Sequence, residues 1–216
     1  MADPELMRAR YLAGQFARPR GRIGRWLIAP WLDRIAGPSN RLAFRKLDVR
    51  SGDRVLEVGF GGGGLLGRLL AAGADVVGAD ISEAMIARAR LRFRREAGQG
   101  RLRLLHCSVD RLPLDTASID KAVSVASLYF WPDPAAGIAE LARVIRPGGR
   151  LVLCFEPAEE LRKWPGHRFG FRLFGQEEVE ALLEAAGFQV LDVQVGHGRK
   201  PDRFLCLSAE RVAANG

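Results

Sequence analysis

From residue 50 onward, short apolar runs alternate with stretches whose apolar positions recur every three or four residues. Segments 54–59, 75–80, 102–106, 122–125 and 150–155 are β-branched or apolar almost throughout, the pattern of strands buried on both faces. Between them, 64–72, 83–97 and 135–145 carry the i, i+3, i+4 spacing of amphipathic helices. Ser82 is placed to cap the second helix, and Pro147-Gly148-Gly149 to end the third and turn the chain into the next strand. Strand and helix alternating in this way predict a parallel sheet with helices on both faces.

The last third adds a helix over 176–186, closed by Gly187, and strands at 188–195 and 203–208. The stretch 196–202 between those strands is too short for a helical crossover, so they should pair antiparallel. The expected architecture is α/β: a doubly wound, mostly parallel seven-stranded sheet with an antiparallel last strand. Residues 1–50 read as a helical extension in front of a domain at 51–216. Within the extension, Ile23, Trp26, Leu27, Trp31, Leu32 and Ile35 form an apolar stripe that Pro30 should kink or break, and 39–47 reads as a further helix.

Composition narrows the class. In 216 residues, 48% hydrophobic and 27% charged positions exclude disorder, collagen and coiled coil. The longest apolar run, 26–32, is far short of a membrane span or secretory leader, so a cytoplasmic protein is expected. Cys107, Cys154 and Cys206 lie in or beside apolar runs without CxxC spacing, which reads as reduced, buried thiols and no metal site. The net charge is +8, with 11 basic against 4 acidic residues in positions 1–50 and near neutrality beyond. A basic block of that kind suits nucleic acid, an anionic membrane surface or an acidic substrate. Because 29 of the 33 basic residues are arginine, compositional bias accounts for it equally well.

The sharpest local signal is Val55-Leu56-Glu57-Val58-Gly59-Phe60-Gly61-Gly62-Gly63-Gly64. A strand enters a glycine-rich turn and a helix follows at once, offering free N–H groups to a ligand that approaches with no Cβ in the way. Taken alone, Gly59-x-Gly61-x-x-Gly64 would suit a dinucleotide. Glu57 changes that reading, since a carboxylate two residues before the turn repels a pyrophosphate and suits a cation. Asp80 closes the second strand 23 residues after Glu57, where a carboxylate can accept from ribose hydroxyls; a helix N-terminal charge beside Ser82 is the competing role.

Glu57-x-Gly59-x-Gly61-x-Gly63, Asp80 and Leu112-Pro113, followed by Ile119-Asp120-Lys121-Ala122-Val123, Trp131-Pro132-Asp133-Pro134 and Leu141-Ala142-Arg143-Val144-Ile145-Arg146-Pro147-Gly148-Gly149-Arg150-Leu151, together resemble the class I S-adenosylmethionine-dependent methyltransferases. The nearest branch is the small-molecule type that includes the ubiquinone/menaquinone and sterol enzymes. The resemblance implies a Rossmann-like fold, S-adenosyl-L-methionine as cofactor and a small-molecule or lipid-like acceptor. It places the methionine part on Gly59, Gly61 and Gly63, its ammonium near Glu57, and the ribose on Asp80 with Ile81 alongside. Many relatives carry Gly-Asp-Ala before the Leu-Pro; Cys107-Ser108-Val109 stands there in this chain, so Ser108 would take the adenine amine and Val109 meet the ring. Asp110 is the other candidate. Ser124 falls where the family places backbone oxygens around the sulfonium.

Methyl transfer needs positioning more than an obligatory base, which leaves catalytic residues hard to read. His167 is the candidate base, with Phe169 beside it in the segment that walls the acceptor in relatives. Tyr129, Phe130 and Trp131 line an acceptor pocket or serve as packing aromatics, and His106 reads as structural. An RNA or DNA methyltransferase is the competing function, suggested by the basic N-terminus, but strand 4 ends Ser124-Val125-Ala126-Ser127 without an Asn/Asp-Pro-Pro-Tyr/Phe motif. An NAD(P)-dependent oxidoreductase is opposed by Glu57, and a cofactor-binding module without turnover stays open. Residues 1–40 are expected to cover the cofactor, shape the acceptor site and offer a peripheral contact to anionic membrane.

Overall fold

The structure, a computed structural model, describes residues 4–19, 21, 29–198 and 202–213. Seven strands form one sheet: β1 (Arg54–Val58), β2 (Asp75–Asp80), β3 (Leu102–His106), β4 (Ile119–Val125), β5 (Ile145–Phe155), β6 (Phe188–His197) and β7 (Arg203–Arg211). Their order is β3-β2-β1-β4-β5-β7-β6. All pairings up to β5 are parallel, and β7 runs antiparallel to both β5 and β6. Strand order reverses between β1 and β4, so a crevice opens at their carboxyl ends, where sheets of this type bind ligands.

Helices α1 (Pro4–Ala17), α2 (Ala29–Ile35) and α3 (Gly37–Leu47) make up the extension, and α4 (Gly64–Ala71), α5 (Glu83–Arg92), α6 (Arg94–Gly98), α7 (Pro134–Val144), α8 (Ala158–Leu161) and α9 (Gln176–Ala185) the rest. Alternation along the strands divides the core. Leu56 and Val58 join Ile138 and Leu141 of α7 and Val179 and Leu183 of α9 on one face. Val55 joins Leu42 and Leu47 of α3, Leu66 and Leu69 of α4 and Met85 of α5 on the other. Full burial of one such leucine stabilises the fold by about 2 kcal/mol. No helix among the described residues is long and apolar enough to cross a membrane.

Three local expectations are corrected. The helix over 83–97 breaks at Phe93, which leaves helical geometry (φ −114°); its ring packs against Gly63 and Gly67, where a Cβ would stand 2.9 and 3.4 Å from it. Helix α7 ends at Val144 and β5 starts with the next residue, so Pro147-Gly148-Gly149 lies within a register shift of β5 against β4 and not in a separate turn. Pro30 sits in the first turn of α2, where its missing N–H costs nothing; the segment before Ala29, on which the expected kink falls, lies outside the described residues. Cys154 and Cys206, called reduced thiols above, face each other across β5 and β7 with Cα atoms 4.1 Å apart and form a disulfide. Sequence spacing hides that pairing, because only sheet register brings the two together. Cys107 is free. Ile23, Trp26, Leu27 and the Leu32 side chain lie outside the described residues.

Candidate active site

A cavity of about 730 Å³ opens at the carboxyl ends of β1, β2, β4 and β5, within the usual range for a small-molecule site. Glu57, Gly59, Gly61, Asp80, Ile81, Ser108 and Val109 line it, as do Tyr129, Phe130 and Trp131. Gly63 and Ser124 stand outside the lining. Gly63 adopts φ +82° as the residue before α4, and Ser124 Oγ reaches Ser127 Oγ at 2.5 Å. His167 and Phe169 do not line the cavity either; His167 Nδ1 is 2.6 Å from the Trp164 carbonyl. His106 Nε2 lies 3.1 Å from the Ile81 carbonyl, in a structural contact.

The glycine turn is shaped by close approach. A Cβ at Gly59 would stand 2.6 Å from Ser127 Cβ. Ser127 is held over the turn because Ala126 takes φ +53°, a strained value for a residue with a side chain. Ser127 Oγ then accepts the Trp131 indole N–H at 3.1 Å, which fixes that ring in the wall.

Three carboxyl groups converge beside the turn. Glu57 is 4% exposed and its Oε2 has no hydrogen-bond partner. Burial, with Asp33 and Asp80 nearby, pushes its pKa well above the ordinary range. Asp80 accepts from the Gly61 N–H at 3.1 Å and the Ser82 N–H at 2.8 Å; burial nevertheless raises its pKa to about 6. The cap expected at Ser82 is present, its hydroxyl accepting from Met85 N at 3.4 Å. Asp33, on α2, was not singled out by the sequence. Its Oδ1 accepts from the Gly64 N–H at 2.9 Å and its Oδ2 meets Arg92 at 3.1 Å, so it caps α4 across the turn. Burial raises its pKa in spite of Arg92. A second tie from the extension, Ser82 Oγ donating to the Pro19 carbonyl at 2.6 Å, fastens it beside the second strand.

The far end of the cavity is aromatic. Phe16 of α1 stacks on Trp31 of α2 and meets Trp164, both at 5.3 Å between ring centroids. Trp164 meets Phe171 at 5.6 Å, and Phe171 meets Phe130 at 4.5 Å. Beneath these rings the Tyr129 hydroxyl donates to Glu156. Burial and the adjacent Glu156 carboxyl hold the Tyr129 pKa far above 10, and burial raises that of Glu156. Glu156, Glu160, Lys163 and Asp202 also line this end. None of the four carried a motif; the one available signal was the position of Glu156 directly after a predicted strand, where such sheets keep their sites. Among the described residues, no group of three or more His, Cys, Asp or Glu is arranged to hold a metal. Ser108 Oγ and Asp110 Oδ1 are both buried without partners, but only Ser108 lines the cavity.

Against this geometry we compared the chain with known proteins. A family model described as a methyltransferase domain matches residues 56–153. The Bacillus subtilis (strain 168) protein described as uncharacterized methyltransferase YdaC is 32% identical over 81% of this chain and 92% of its own length. The demethylmenaquinone methyltransferase of Clavibacter sepedonicus is 39% identical over 48% of this chain, which spans only 41% of that protein. Among solved structures, the 1,6-didemethyltoxoflavin-N1-methyltransferase of Burkholderia thailandensis, with S-adenosylhomocysteine bound, superposes with a TM-score of 0.71 over 99% of this chain and 92% of that one, at 23% identity. The superposition shows the fold that the sheet order already gave. The similarity to the Bacillus protein, running nearly end to end, settles more than fold: the chain belongs to the class I S-adenosylmethionine-dependent methyltransferases and uses S-adenosylmethionine as its methyl donor.

Proposed function

We propose that the protein methylates a small-molecule acceptor with an apolar body, bound at the aromatic end of the cavity. One observation carries the reading: a single cavity joins the glycine turn and its carboxylates to a wall of aromatic rings. The residues suit the donor. The bare Glu57 Oε2 is an acceptor for an ammonium, the turn at Gly59 and Gly61 leaves its backbone open, and Asp80 has the ionisable oxygens that ribose hydroxyls need. The unpartnered Ser108 hydroxyl and the Val109 backbone fit the adenine edge. When bound, S-adenosylmethionine supplies a methyl group activated by its sulfonium. The chain's own part is to hold the acceptor in line and exclude water, with the Tyr129 hydroxyl donating to Glu156 and fixing that carboxyl group under the rings.

The lining also favours a small acceptor over nucleic acid. Among the described lining residues, Asp33, Glu57, Asp80, Glu156, Glu160 and Asp202 face a single cation, Lys163; a polyphosphate backbone needs the opposite sign. Residues 1–40 act as the lid of this cavity, a role supported by Phe16, Trp31 and Asp33 in its wall. Leu6, Met7 and Tyr11 on α1 are 37, 60 and 53% exposed, which supports a peripheral contact with anionic membrane through the same helix; sedimentation with anionic and with neutral liposomes tests it.

The deciding experiment is thermal shift with S-adenosylmethionine, S-adenosylhomocysteine, NAD and NADP side by side. Stabilisation by the first two alone is expected. A shift with NAD or NADP and none with the adenosyl compounds overturns the proposal.

A further inference from the structure

We infer that the acceptor is recognised through a positively charged nitrogen, a protonated amine on an aromatic or apolar body, held by Glu156 and Glu160 under the aromatic wall. This rests on the methyltransferase reading of the cavity and names the class of molecule it takes.

The argument starts from charge. The chain as a whole carries +8, yet its cavity is lined by six acidic side chains and one basic one among the described residues. Two sets of acids make up that excess. Asp33, Glu57 and Asp80 gather beside the glycine turn, where Glu57 answers the ammonium of the donor, Asp80 its ribose, and Asp33 caps α4. Glu156 follows β5, two strands away from β1 in the sheet, or about 10 Å at the usual strand spacing. Glu156, Glu160 and Asp202 therefore form a second set that the donor's ammonium does not reach.

A second observation points to a ligand. Glu160 is 6% exposed, and its Oε2 is buried with no hydrogen-bond partner. Its other oxygen meets Lys163 Nζ at 2.6 Å, and that lysine side chain is 63% exposed, so it answers one oxygen and leaves Oε2 bare. A bare carboxylate oxygen in such a place is costly until a donor arrives. The third observation is the wall itself. The rings of Phe16, Trp31, Trp164, Phe171 and Phe130 form a continuous series with centroids 4.5–5.6 Å apart. Aromatic faces attract a cation within about 6 Å. A hydrocarbon acceptor would need the rings but not the acids, and a phosphate or carboxylate acceptor would be repelled by them.

The test measures binding to the full-length protein saturated with S-adenosylhomocysteine, by calorimetry, with three probes of one shape: 2-phenylethylamine, 2-phenylethanol and 3-phenylpropionate. The amine is expected to bind at least tenfold tighter than the alcohol, and the acid weakest. Glu160→Gln and Glu156→Gln should each cost the amine at least fivefold while leaving the alcohol and S-adenosylhomocysteine within twofold. An amine that binds no better than the alcohol, or not at all, overturns the inference, and the wild-type comparison decides it even where a variant fails to fold. Equal losses for all three probes in the variants also overturn it. Failure of S-adenosylhomocysteine to bind would instead overturn the methyltransferase reading underneath.

Discussion

The two ends of the cavity are made from different kinds of chain. At the donor end, Glu57, Gly59, Gly61 and Asp80 come from two adjacent strands and the turns that leave them, within one stretch of sequence. At the acceptor end, Phe16, Tyr129, Glu156, Trp164 and Asp202 come from an N-terminal helix, the segments after β4 and β5, and the final hairpin. The first end is fixed by backbone geometry, with glycines at positive φ and N–H groups pointing at Asp80. The second is fixed by side chains packing on one another. A site of the first kind is set by the backbone and leaves little room for substitution, whereas the second can be rebuilt one side chain at a time.

The sharpest way to break this division is to remove the N-terminal helices, which contribute residues to both ends. Deleting residues 1–36 takes away Asp33 at the donor end and Phe16 and Trp31 at the other. It should weaken S-adenosylhomocysteine by about 100-fold or more, since a lost charged contact and a wall opened to water each amount to 1–3 kcal/mol. Calorimetry beside far-ultraviolet circular dichroism checks it; unchanged affinity would make the extension a mere appendage.

Asp80→Ala touches the donor end alone. It should cost about 1.5–3 kcal/mol in affinity for S-adenosylhomocysteine, the scale of hydrogen bonds to a charged group. The same residue sets a pH dependence. Its pKa of about 6 lies above the ordinary 3.8, so the folded protein binds this proton more tightly than the unfolded chain. Asp80 therefore lowers the stability of the ligand-free protein as pH rises from about 4 to about 6, by up to about 3 kcal/mol. Ligand binding runs the other way, because only the ionised carboxylate accepts from two ribose hydroxyls. Thermal midpoints with and without S-adenosylhomocysteine between pH 5 and 7.5 should diverge as pH rises, and a constant difference would take Asp80 out of the site.

Tyr129→Phe probes the opposite end. It leaves Glu156 without its hydroxyl donor and should destabilise the fold by about 1–2 kcal/mol, with S-adenosylhomocysteine affinity within twofold; a large loss of that affinity would show that the two ends are one. The smallest effect belongs to Ser108→Ala, within about 1 kcal/mol as for a neutral hydrogen bond. If Asp110→Ala hurts donor binding more, the adenine edge has been assigned to the wrong residue.

What the sequence disclosed follows the same division. Strand, turn and helix periodicity located β1, the glycine turn and Asp80 closely, because each depends on neighbours a few residues away. The antiparallel last strand followed from the shortness of 196–202 in the same way. Asp33 escaped notice because its partners, Gly64 and Arg92, lie 31 and 59 residues off. Glu160 sits in a four-residue helix without a pattern of its own, and His167, named as a base from its place in the segment after β5, has its Nδ1 2.6 Å from the Trp164 carbonyl. The Cys154–Cys206 pair and the break at Phe93 likewise depend on contacts that only the folded sheet creates.

The excess of acids in the lining also bears on how the enzyme clears itself. The donor enters with a positive sulfur, and its spent form leaves neutral at that atom, while the carboxylates around it do not change. A single ionised carboxyl roughly 8 Å from that sulfur would distinguish the two by about 2 kcal/mol. The walls therefore favour the donor over its spent form, and the ratio of the two dissociation constants, measured across ionic strength and pH, reads how much of that preference the carboxylates supply.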